Sequence, residues 1–332
     1  MPRVLSLIRR NVDNFALNLS GLHVVAPATR GYQAAMATLA LLAGAASVTA
    51  ITRPSNRYHS AEEAADTTLS LASLAGVHAG LRVSERIDHL TCRSTNLLVS
   101  SGPTGPVTRS IIERLPRPSV IATMHEAWML LKGEIDIMAC QEHQVPISAV
   151  NESRPAIGGA DYQPALCLKL LEAAGVAIVG ATVALICGNP LARNLEEGMQ
   201  AAGVKVVVFP NPSTMFTHSW DAIVLAQRPT DQPSLGIRDL GRIAEAAPNA
   251  TIIQYWGDID RKAAHYFGLE VWPPRAPGKG QMGMPLEALG PAPTVRLLAG
   301  ALKAAELVLA GGVTGHGGVA QLLNFSDWSH ES

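Results

Sequence analysis

The chain has 332 residues, of which 48% are hydrophobic and only 16% charged, and its net charge is −1. Disorder needs the opposite balance and polyanion binding needs a basic excess, so this composition excludes both as organising features. At roughly 100–200 residues per domain the length suits two domains, and 5% aromatics among many small apolar residues fits an α/β enzyme.

The first residues carry Arg3, Arg9, Arg10 and Asp13 and lack the apolar core of a secretory signal. Residues 23–28 (HVVAPA) read as a buried strand, broken by Thr29, Arg30 and Gly31. Residues 32–43 read as a helix stopped by Gly44, and 47–52 (SVTAIT) as a second strand, which completes a βαβ unit. The longest apolar stretch, 34–46, is interrupted by Thr38 and falls short of the ~20 residues of a membrane helix. Strands follow at 96–100, 120–124 and 145–149, with a helix at 109–115 and a second led by Glu134-Ile135-Asp136. Residues 152–163 read as a linker and 164–174 as a helix.

The same order then recurs. Residues 182–187 (TVALIC) form a strand, Gly188-Asn189-Pro190 a turn, 191–202 a helix capped by Gly203, and 204–209 a strand. A strand at 221–225, a helix at 237–246, a strand at 251–255, Asp258-Ile259-Asp260 before a helix, and a strand at 269–272 match the first run. The expectation is a tandem repeat: two Rossmann-like, doubly wound parallel-sheet domains, 1–160 and 161–292, with a cleft between them. Residues 272–285 read as a loop. The segment 293–332 is expected to be a long helix, 293–309, with a flexible glycine-rich tail. That helix is apolar on more than one face, which predicts either a return onto the first domain or pairing in a homodimer.

Cys92, Cys140, Cys167 and Cys187 form no C-x-x-C pair and no zinc spacing, so reduced structural thiols in a soluble cytoplasmic protein are expected. Neither H-E-x-x-H nor a short-spaced His/carboxylate cluster occurs, and no metal is expected. Ligands of open α/β sheets bind at the carboxyl ends of strands, where helix N-termini offer free N–H groups to anions. A nucleotide cofactor is therefore placed on Gly188, Asn189, Pro190, Leu191 and Arg193, with Asn211 and Trp256 at neighbouring strand ends. His125 and Glu126 after one strand, and Asp258 after another, are candidates for proton transfer. Thr29, Arg30, Tyr32, Ser101, Asn151 and Glu152 are candidates for substrate binding. Arg53 and Arg57, after the second strand, stand where a 2′-phosphate finds its guanidinium partner. His218 and His265 are expected on the surface and His316 in the tail.

From about Lys132 onward the order of elements resembles the D-2-hydroxyacid dehydrogenases, which share their architecture with S-adenosylhomocysteine hydrolase. Residues 134–150 (EIDIMACQEHQVPISAV) resemble the run before that family's cofactor domain. Residues 183–209 stand where it has its dinucleotide unit, and 250–264 (ATIIQYWGDIDRKAA) resemble its strand with an Arg-Gly pair and acidic helix start. The resemblance implies two-domain architecture and an NAD(P)-dependent oxidoreductase of a small metabolite. The chain departs from the pattern in having Trp256 where the family has its substrate-binding Arg, no His between 272 and 293, and no acid after strand 204–209. Residues 28–52 also resemble the first βαβ of class I methyltransferases. With Met124, Trp128 and Trp256 at strand ends suited to a sulfonium, this keeps open an S-adenosylmethionine-dependent transferase or cyclase. A non-catalytic small-molecule binding protein is the third reading.

Overall fold

A computed structural model describes residues 2–53, 60–312 and 318–323. Arg57 and His316 lie outside the described residues. The chain divides into two compact units, one of residues 1–158 with 290–332 and one of residues 159–289.

The first unit contains, in chain order, α1 (Pro2–Asn14), β1 (His23–Pro27), α2 (Ala35–Leu42), β2 (Ser47–Ile51), α3 (Ala61–Ala75), β3 (Leu81–Ser84), α4 (His89–Ser94) and β4 (Leu97–Val99). It continues with α5 (Arg109–Ile112), β5 (Val120–Ala122), α6 (Ile137–Glu142) and β6 (Ile147–Val150). The second unit holds α7 (Gly159–Ala173), β7 (Thr182–Ile186), α8 (Leu191–Ala201), β8 (Lys205–Phe209), β9 (Ala222–Ala226), α9 (Ile237–Ala246), β10 (Thr251–Trp256), α10 (Arg261–Tyr266) and β11 (Val271–Trp272). The chain then re-enters the first unit with α11 (Pro291–Leu309) and β12 (Ala320–Leu322).

The first unit is a seven-stranded sheet in the order β12-β6-β5-β4-β1-β2-β3, parallel except for β12, which runs antiparallel to β6. Its central strands are continuous apolar runs because both faces are covered. Alternation decides which layer each side chain enters: Val24 and Ala26 of β1, Leu97 and Val99 of β4, and Val120 and Ala122 of β5 join one core. Val25, Leu98 and Ile121 point into the other, with Ile112, Cys140 and Ile147. α2 is apolar apart from Thr38, and Ala35–Leu41 are all buried. It is enclosed by α1, α3, α11, β1 and β2, which explains the apolar stretch without a membrane. Among the described residues no helix is long and apolar enough to cross one.

The second unit is a five-stranded parallel sheet in the order β11-β10-β9-β7-β8. One face packs on α9 and α10 through Leu240, Ile243 and Ala264, and the other carries the α7–α8 pair. Pro164 lies inside α7, so that helix begins five residues earlier than the proline had suggested and takes in part of the expected linker. Gly198 of α8 lets the two helices meet there: a side-chain carbon on it would collide with the Pro164 ring.

Two further differences have clear causes. The described residues of the segment 293–332 (293–312 and 318–323) belong to the first unit rather than forming a third part. α11 buries Val295, Leu298, Leu302 and Ala305 in the first unit's core, so its apolar faces are covered by α1, α2 and the β5–β6 strands of its own chain. Within the expected flexible tail, residues 320–322 pair with Ser148, Ala149 and Val150 at the sheet edge.

Candidate functional site

The carboxyl ends of β5 and β6 place the acid–base candidates of the first unit. The chain leaves β5 at Thr123, whose hydroxyl donates to the His125 carbonyl at 2.9 Å and turns the strand end. His125 Nε2 then lies 3.6 Å from Glu134 Oε2, and Nδ1 lies 3.1 Å from the Glu126 carbonyl oxygen. Desolvation pulls the His125 pKa down, but the hydrogen bond and charge of Glu134, with the charge of Glu152 behind them, prevail and raise it. The imidazole is 29% exposed, so a proton held there is reachable. Glu152 is itself buried.

Glu134 is the residue that the sequence had not singled out. It reaches His125 through a backbone device. Val107 N–H donates to the Glu134 carbonyl and Asp136 N–H to the Val107 carbonyl, an isolated parallel bridge between Val107 and Ile135. Asp136 then caps α6 by accepting from Ala139 N–H at 2.8 Å. The second unit repeats this. Leu235 N–H donates to the Asp258 carbonyl, Asp260 N–H to the Leu235 carbonyl, and Asp260 caps α10 on Lys262 and Ala263. Glu134 thus occupies in the first unit the position of Asp258 in the second, and the alignment that marked Asp258 was the available signal. Burial raises the Asp258 pKa, against the charge of Lys279.

Glu126 does not face His125 with its carboxylate. It accepts from the Trp128 indole N–H at 2.6 Å and from Ser153 N–H at 3.2 Å, which joins the loops after β5 and β6. Asn151 donates to the Gly318 carbonyl, accepts from the Ser153 hydroxyl, and so anchors the approach to β12. Among the other substrate candidates, Arg30 is paired at 2.9 Å with Glu63 of α3, Tyr32 packs against the core, and Ser101 closes a local turn on Thr104. Thr29 is 1% exposed, and among the described residues its hydroxyl has no partner. His125, Glu126, Asn151 and Glu152 therefore gather on adjoining strand ends. Thr29, Arg30, Tyr32 and Ser101 belong to the β1 and β4 ends.

The second unit's turn after β7 is closed upon itself. A side-chain carbon on Gly188 would lie 2.6 Å from the Pro210 carbonyl oxygen, so glycine is required there by the protein's own backbone. Asn189 accepts from Leu191 N–H at 3.0 Å and donates to the Ala226 carbonyl at 2.6 Å. Pro190 has no N–H to give. Arg193 is exposed and paired with Glu197. Asn211 accepts from the backbone and hydroxyl of Ser213, and Trp256 is buried with its indole N–H on the Gly280 carbonyl. One donor of the turn, Leu191 N–H, is thus capped and Pro190 supplies none, no acid follows β8 in the sequence for a ribose diol, and Trp256 offers no open face to a sulfonium. The β7–α8 turn does not fit the nucleotide that the sequence had placed on it.

No family model matches the sequence, and no curated protein matches it. Solved structures do. A dipicolinate synthase chain from Bacillus halodurans is similar at a TM-score of 0.54 and 15% identity, covering 90% of this chain and 100% of that one. The pyruvate reductase of Chlamydomonas reinhardtii is similar at 0.52 and 13%, covering 90% and 99%. The NAD+-bound 3-phosphoglycerate dehydrogenase of Entamoeba histolytica is similar at 0.50 and 10%, covering 89% and 98%. The resemblance to D-2-hydroxyacid dehydrogenases read from the sequence therefore holds as a likeness of fold, and this chain is a two-unit Rossmann-like α/β protein.

Proposed function

We propose that the chain is an NAD(P)-dependent oxidoreductase acting at a carbon–oxygen centre of a small metabolite. The observation that carries the reading is His125, beside Glu134 at a strand end, with a pKa raised by Glu134 and Glu152. The fold shared with a pyruvate reductase and an NAD+-bound dehydrogenase supports the reaction class. The nicotinamide cofactor supplies or accepts the hydride, and the residues here manage the proton that must accompany it. The His125 Nδ1 hydrogen is committed to the Glu126 carbonyl, so a substrate oxygen meets the proton on the Nε2 side, in place of the Glu134 carboxylate 3.6 Å away. As a carbonyl becomes a hydroxyl, Nε2 gives its proton to the oxygen; in the reverse direction it takes the proton back. Glu134 stabilises the charged imidazole, and Glu126 is a positioning residue for the two loops. Asp258, whose pKa burial raises, stands at the corresponding position of the second unit.

The test is a panel of small 2-oxo and 2-hydroxy acids, aldehydes and ketones with NADPH, NADH and their oxidised forms, followed by nicotinamide absorbance. Turnover by the wild type is expected, with His125→Gln lowering kcat by roughly 100- to 10,000-fold while the protein stays folded at the assay temperature. Turnover indifferent to His125, or none across the panel, overturns the reading.

A further inference from the structure

The loop that carries His125 is fastened by a residue 194 positions further along the chain. β12 runs antiparallel along β6, with Ala320, Gln321 and Leu322 opposite Val150, Ala149 and Ser148. The residues flanking β12 extend the pairing: Leu323 N–H donates to the Ile147 carbonyl at 3.0 Å, and Asn151 N–H to the Val319 carbonyl at 2.8 Å. Gln321 is thereby held in register. Its side chain reaches the loop after β5, where Oε1 accepts from Ala127 N–H at 3.1 Å.

That N–H belongs to the peptide group joining Glu126 to Ala127, and the carbonyl oxygen of the same group lies 3.1 Å from His125 Nδ1. A trans peptide group is planar, with its C=O and N–H pointing opposite ways, so a hold on the N–H sets the aim of the carbonyl. An acceptor on the N–H also polarises the group and strengthens its oxygen as an acceptor. The backbone of His125 is fixed separately, because its own carbonyl accepts from the Thr123 hydroxyl and from Val150 N–H. What remains to be set is which ring nitrogen keeps the hydrogen when the imidazole is neutral. The Glu126 carbonyl, which can only accept, draws it to Nδ1. The Glu134 carboxylate, 3.6 Å from Nε2, draws it to Nε2. The first contact is within hydrogen-bond range and the second is beyond it. Only the Nδ1–H form leaves a lone pair at Nε2, which is what taking a proton from an alcohol requires.

We propose that Gln321 is a positioning residue for His125: through the 126–127 peptide it keeps the hydrogen of the neutral imidazole on Nδ1 and the lone pair of Nε2 open. Its bearing on catalysis rests on the oxidoreductase reading above. The test is nitrogen-15 magnetic resonance of the full chain with labelled histidine, at a pH above the His125 midpoint, where the two ring shifts report the tautomer; kcat and KM are measured alongside. The wild type should carry the hydrogen on Nδ1. Gln321→Leu keeps the bulk and loses the acceptor; it should move the hydrogen to Nε2 and lower kcat roughly 2- to 10-fold with little change in KM. Gln321→Glu, which puts an acceptor oxygen back at the same reach, should reverse both effects. A wild type with the hydrogen on Nε2, a tautomer unmoved in Gln321→Leu, or a shift that Gln321→Glu does not reverse overturns the assignment. The wild-type spectrum needs no variant, so a poorly folding Gln321→Leu does not shield the proposal. The spectra need no substrate either, so a chain without turnover removes the oxidoreductase reading while the tautomer still decides this one.

Discussion

Replacing Glu134 by Gln tests the proton-holding pair directly. The contact is 3.6 Å, which corresponds to about 5 kcal/mol at an effective dielectric constant of ~20 and about 1 kcal/mol at that of bulk water. With the two side chains 29% and 39% exposed, water screens the pair, and the expected coupling is roughly 1 kcal/mol. Glu134 raises the His125 pKa in the folded state. The stabilisation is therefore fully present below the unfolded value, about 6.5, and disappears as pH rises through the folded one. A double-mutant cycle of Glu134→Gln and His125→Gln, measured by denaturant unfolding, should show that coupling near about pH 5.5 and none well above the histidine range. Nuclear magnetic resonance of labelled histidine should show the His125 midpoint falling in Glu134→Gln. A coupling equal at both pH values, or a midpoint that does not fall, refutes the assignment of Glu134 as the group that holds the proton.

Three further outcomes follow from packing and capping. Gly198→Val forces a side chain into Pro164 and should destabilise the second unit by roughly 1–3 kcal/mol, read by chemical denaturation. Asp260→Ala removes an acceptor for two N–H groups of α10 and should cost about 1 kcal/mol, with Asp260→Asn recovering most of it. Burial pushes the thiols of Cys140 and Cys167 up to about 12 and that of Cys187 up to about 11. None of the three should react with a disulfide reagent at neutral pH until the protein is unfolded; fast labelling of Cys187 in the native protein would contradict its burial.

The fold was legible where burial made the pattern continuous. β4, β5 and β9, and β1 and β7 beyond their first residues, are buried runs built mainly of Val, Leu, Ile and Ala, and such runs announce themselves. β3 (LRVS) is half-exposed and interrupted by Arg82, and β12 is three residues long at an edge, so neither carried a period. His125 was legible as a polar residue at a strand end. Its partner was not, because Glu134 lies nine residues on and returns only through the Val107–Ile135 bridge, a contact that leaves no local signature. The turn after β7 misled for the converse reason. Its glycine looked like a phosphate cradle, but what that glycine admits is the carbonyl of Pro210.

That bridge has a consequence for how chemistry is installed on this scaffold. In each unit the acid, Glu134 or Asp258, is held in place by its own carbonyl oxygen, which accepts from Val107 or Leu235. The aspartate two residues on secures the following helix. The side chain between these main-chain fastenings adds little to them: Glu134 accepts from Leu131 N–H at 3.1 Å and pairs with His125. It is a socket: the residue plugged into it can be exchanged, carboxylate for carboxamide or long acid for short, while the backbone that presents it stays seated.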